Sequence, residues 1–160
     1  MERPRLAPAL SEGSLRTVAR SKSEMNDQKA YNALVQNQEI NMKTILSELD
    51  AGRKNSCWAW YIFPTEKAGM CDPDETRITK ENAVNLCRNE STAEDWRKCL
   101  EKVCDLLEAR GKKPPDEHVL PSIDHGRVHW FIKFWKDYEH SPEWLVKVCS
   151  RLGEFDFPPR

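Results

Sequence analysis

The chain has 160 residues and a mass of 18.6 kDa, enough for one domain with one core that buries roughly two-thirds of the surface an unfolded chain exposes. Its 39% hydrophobic and 32% charged content and mean hydropathy of -0.75 are those of a well-solvated globular protein, and no apolar run approaches the roughly 20 residues of a membrane helix, which excludes a membrane-spanning role. With 25 Lys and Arg against 26 Asp and Glu, the net charge of -1 excludes a global field that would gather nucleic acid.

Residues 1–27 carry Pro4, Pro8, Gly13 and repeated Ser without a sustained apolar period, so they read as a disordered or loosely held tail that cannot offset the entropy of folding. Arg3, Arg5, Arg16, Arg20 and Lys22 outweigh Glu2 and Glu12 there, a balance shared with organelle transit peptides. The cytosolic tail is the preferred reading, and a mitochondrial or plastid address is the alternative.

From Tyr31 the positions Leu34, Val35, Met42, Ile45, Leu46 and Leu49 recur at helical spacing, with Gly52 placed to cap the end. The block Trp58 to Phe63 is apolar on every side and closed by Pro64, so its period cannot distinguish strand from helix. Thr79 predicts the cap of a short helix through about Arg88 with Val84 and Cys87 inward. Ser91 and Glu94 have the spacing of a capping box for a longer helix whose stripe is Trp96, Cys99, Leu100, Val103, Leu106 and Leu107, ended by Gly111. After a loop marked by Pro114 and Pro115, a fourth helix is predicted from about Ile123 to Tyr138, with Val128, Phe131, Ile132 and Trp135 on one face. Ser141 and Pro142 predict the start of a fifth, through Leu145, Val148 and Leu152 to Gly153.

The expected fold is therefore all-α, about five helices around one core, with the aromatic segment 58–63 buried between the first two. The expected organisation is a tail at 1–27, a single helical domain at 28–153 and a short C-terminal tail at 154–160. Cys57, Cys71, Cys87, Cys99, Cys104 and Cys149 are scattered with no secretory signal ahead of them, which points to free thiols in a reducing, cytoplasmic setting.

The run Ala51-Gly52-Arg53-Lys54-Asn55-Ser56-Cys57-Trp58-Ala59-Trp60-Tyr61-Ile62-Phe63-Pro64 closely resembles the signature segment of the domain-of-unknown-function 1810 family. The likeness is best over residues 45–65 and reaches, more thinly, to about Trp135. It implies a mainly helical fold and carries no assigned activity. Cys57 and Thr65 stand where that family usually shows His and Gln, and of the family's later segment only Asp124 aligns.

Two constellations have the residue types for chemistry. Arg53, Lys54, Ser56, Trp58 and Trp60 set two cations and a hydroxyl beside flat aromatic faces, a mixture suited to a phosphorylated, base-containing ligand, although the same pattern is that of cations at a helix C-terminus followed by an aromatic core plug. At the mouth of the fourth helix, with His118 ahead of them, Ser122, Asp124, His125, Arg127 and His129 offer an Asp to orient a His as acid or base and an Arg to clamp an anion. Against that stands the plainer reading of Asp124 as an N-cap and His129 as a surface histidine.

His125 and His129 share a helix face at an interval that zinc can use, but no Glu follows His125 and no close Cys pair completes a site, so no metal and no cofactor is expected. Cys57 is the one thiol whose setting, near Arg53 and Lys54, invites a nucleophile reading. The expected role is a binding module for a small anionic ligand or a protein partner, with Arg53, Lys54, Ser56, Trp58, Trp60, Arg127 and His129 as ligand-binding residues. The alternative is a small enzyme on a nucleotide-like or phosphorylated substrate, with His125 and Asp124 as its acid-base pair.

Overall fold

A computed structural model describes residues 11–66, 77–111 and 115–159, with side chains from Met25 onward. Among the described residues six α-helices follow in order: α1 Ser11–Asp50, α2 Ala59–Ile62, α3 Lys80–Arg88, α4 Ala93–Arg110, α5 His125–Asp137 and α6 Glu143–Leu152. The described residues include no strand, so the fold is all-α as the periodicity predicts. No helix among them is long and apolar enough to cross a membrane.

Helix α4 is the axis of the bundle. It packs against α1, α2, α3 and α6, while α5 lies against α6. The predicted stripe of α4 is the face that meets them: Trp96, Cys99, Leu100, Val103 and Leu107 are all fully buried. Trp96 and Trp135 bring their ring centroids within 5.7 Å in a tilted pair across the α4 and α5 faces, and Phe63 meets Phe131 edge-on at 5.4 Å, an edge-to-face arrangement that aromatic quadrupoles favour. The left-handed backbone of Gly52 (φ 92°) and of Gly111 (φ 65°) ends α1 and α4 at the positions where glycine was expected.

Several local expectations give way. Helix α1 begins at Ser11, so helical backbone extends over residues assigned to the loose tail; after Gly13 that stretch holds neither Gly nor Pro, and helix formers can continue a helix without an apolar stripe. The expectation for residues 1–10 lies outside the described residues. The aromatic block, whose period left strand and helix open, is a single helical turn packed against α1 and α4. On α3 the fully buried positions are Ala83 and Leu86, with Val84 and Cys87 partly covered, a rotation of about one residue on the helix wheel.

Capping also differs in detail. Thr79 forms the expected cap of α3, in a reciprocal box with Asn82. Ser91 and Glu94 form none, because Asn89 Oδ1 accepts the Ser91 and Thr92 N–H groups at 3.0 and 3.2 Å and shifts the start of α4 to Ala93. Ser141 does not cap α6 either; its hydroxyl donates to the Trp135 carbonyl at 2.6 Å. The short C-terminal tail is docked at two points, since Phe155 and Phe157 are both buried.

Candidate functional site

The two predicted constellations meet. Lys54 Nζ lies 2.9 Å from Asp124 Oδ2 and over the Trp58 ring at 5.3 Å, and the Lys54 N–H donates to the Val119 carbonyl at 3.0 Å. These contacts join the loop after α1 to the short 3-10 turn Ser122–Asp124 that opens α5.

The loop itself is gathered by Glu48, in the last turn of α1, a residue that no sequence motif marks. One Glu48 oxygen accepts the Asn55 and Ser56 N–H groups at 2.6 and 2.9 Å and the Trp58 indole at 2.8 Å, while the other accepts the Ser56 hydroxyl. Partial burial acts to raise the carboxyl pKa, but these bonds to the ionised form outweigh it and hold the group at about 2. Arg53 is exposed on this loop, as is the free thiol of Cys57.

Beyond the loop, four successive carbonyls are each met by a side chain from another helix. Gln38 donates to Tyr61 O at 2.7 Å and Trp96 to Ile62 O at 2.9 Å. Arg127 Nε donates to Phe63 O and Trp135 to Pro64 O, both at 2.9 Å. A one-turn helix cannot satisfy its own last carbonyls, and here α1, α4 and α5 do so. Thr65, at the position where Gln was expected from the resemblance, is buried with its hydroxyl 3.4 Å from the Trp130 carbonyl. Trp58 is buried, whereas Trp60 is only half-buried and meets Tyr61 edge-on.

At the mouth of α5, His125 is 5% exposed and its Nε2 lies 2.8 Å from the Leu120 carbonyl. A carbonyl only accepts, so Nε2 carries the proton of this bond. No hydrogen bond joins Asp124 to His125; the carboxylate that would orient the imidazole is given to Lys54. His129 Nδ1 lies 3.0 Å from the Phe157 carbonyl, which ties α5 to the C-terminal segment. Among the described residues no group of three or more His, Cys, Asp or Glu is placed to hold a metal ion.

Beside this junction runs an open groove of about 540 Å³, lined by Pro115, Ser122, His125, Phe155, Phe157 and Pro158, with the exposed carboxylates of Glu117 and Asp156 at its edge. Of the constellation predicted at the mouth of α5, Ser122 and His125 line it. The signal that could have found it was the alternation Phe155-Asp156-Phe157, whose period of two buries every other residue.

A family model described as "Protein of unknown function (DUF1810)" matches residues 28–148. No curated protein and no solved structure matches the chain.

Proposed function

The chain belongs to the DUF1810 family, and from that premise we propose that it is a binding module for a protein partner, which it takes in the groove beside the mouth of α5. The observation that carries this reading is the inward commitment of the predicted chemistry. Lys54 and Asp124 neutralise each other, His125 and His129 bond to backbone carbonyls, and Arg127 bonds to Phe63 O. Groups held in this way position two segments, whereas an acid-base pair or an anion clamp needs lone pairs and protons aimed at a ligand.

What stays open is the groove, whose volume lies in the ordinary range of roughly 300–1,000 Å³ for binding sites. Glu117 and Asp156 at its edge are both acidic, which disfavours a small anion and favours a polypeptide segment with apolar and basic side chains. A displayed peptide library panned in parallel on the wild-type chain and on Ser122→Trp tests this. Ser122 is exposed, so the indole fills the groove without disturbing the core. Sequences enriched on the wild type alone are the expected result, and a library that enriches nothing, or enriches equally on both, overturns the reading. A thermal shift with nucleotides or sugar phosphates would return the small-anion reading to first place.

A further inference from the structure

We infer that the occupant of this groove is the N-terminal segment of a second copy of the chain, residues 1–10, so that the protein associates with itself head to tail. The inference rests on the reading of the groove as a polypeptide site and adds the identity of the partner.

The groove's construction decides the form of the occupant. Phe157 and His125 stand perpendicular, ring centroids 5.2 Å apart, so the floor is corrugated rather than one flat face. Backbone that could extend a sheet is scarce. Pro115 and Pro158 have no N–H, the Phe157 carbonyl is taken by His129, and the Phe155 and Phe157 N–H groups bond to Leu152 O and Phe155 O. Phe155 and Phe157 therefore cannot supply a continuous ladder for strand addition. A ridged polyproline-type segment, which needs ring contacts and no continuous ladder, fits such a floor.

The groove's charge decides the composition. Neither Glu117 nor Asp156 forms an ion pair with another described residue, so both carboxylates await cations. Residues 1–10 read Met-Glu-Arg-Pro-Arg-Leu-Ala-Pro-Ala-Leu, two prolines among two arginines, which is the complementary chemistry. Proline disfavours the helical region for the residue before it, so a segment with Pro4 and Pro8 enters an extended site at low entropic cost.

Chain geometry makes the pairing intermolecular. Helix α1 has 40 residues, a length of about 60 Å at roughly 1.5 Å per residue. The groove lies at the far end of α1, where Lys54 bonds to Val119 and Asp124. Ten residues span at most about 36 Å when fully extended, so the segment cannot return along its own helix to its own groove. It can reach the groove of another copy, in a heterologous contact that closes as a ring or continues as a chain of subunits.

Sedimentation velocity on the full-length protein over a concentration series, together with a fluorescent peptide of residues 1–10, tests this. The expected result is concentration-dependent association, weakened about tenfold by Arg3→Glu/Arg5→Glu and by Glu117→Lys/Asp156→Lys separately, since reversing two rim pairs changes affinity by about 1.4 kcal/mol. The chain carrying both pairs of changes regains association, and the labelled peptide binds the wild type but not Ser122→Trp. A full chain that stays monomeric while the peptide fails to bind overturns the inference, as does a charge swap that restores nothing. If the displayed library still yields groove-dependent sequences after such a failure, only the identity of the occupant falls; if it yields none, the groove reading falls too.

Discussion

Lys54 Nζ stands 2.9 Å from Asp124 Oδ2, with only 7% and 15% of the two side chains exposed, and this one contact ties the loop after α1 to the mouth of α5. Removing one partner of such a pair strands a charge that water can barely reach. Asp124→Asn is expected to cost about 3 kcal/mol, and Lys54→Met with Asp124→Leu to recover all but about 1 kcal/mol, because an apolar pair avoids the desolvation of both ions. Urea midpoints of the three chains check this.

Glu48 gives the stability a pH dependence whose sign is fixed by its hydrogen bonds. Its carboxyl titrates at about 2 when folded and near 4.5 when free, so the unfolded state binds the extra proton between those values. The contribution of Glu48 is complete above 4.5 and is lost as the pH falls toward 2. Glu48→Gln should therefore melt below the wild type at neutral pH, with the gap narrowing over that acidic window; a gap that stays constant down to pH 2 would count against the network.

Trp58 and Trp60 are two residues apart but differ in burial. Trp58 is 1% exposed and bonded to Glu48, while Trp60 is half-buried. Trp58→Ala is expected to cost about 3–5 kcal/mol, and Trp60→Ala less than about 2 kcal/mol. Equal losses in chemical denaturation would show Trp60 to be part of the same packed unit.

The thiols should separate by accessibility. Burial pushes Cys99, Cys104 and Cys149 up to about 12, so almost no thiolate forms at pH 8 and the sulfur is sheltered besides. Cys57 is exposed. Peptide mapping after brief iodoacetamide treatment should find Cys57 modified and these three intact until denaturant is added.

Most of the fold was legible because the bundle is built from apolar stripes at helical spacing, and Leu34, Ile45, Trp96, Leu100, Phe131 and Trp135 are all in the core. What the residues did not announce is contact between distant polar groups. Glu48 looks like any charged residue in a last helical turn until the loop folds onto it, and Asn89 outcompetes the box expected from Ser91 and Glu94 because its oxygen reaches four donors at once. The residue types chosen for a site were brought together, but spacing along the chain does not reveal that Asp124 turns to Lys54 rather than to its neighbour His125.

The four carbonyls from Tyr61 to Pro64 are met by partners 23, 34, 64 and 71 positions away in the chain. Such long closures form slowly, since each must wait for the intervening chain to be ordered. The signature segment is therefore expected to take its shape after the helices that supply these partners, and a peptide of residues 53–66 alone is expected not to adopt it. Destabilising changes around this segment should then act on the unfolding rate and leave the folding rate nearly unchanged, the kinetic mark of a piece that locks after the barrier has been crossed.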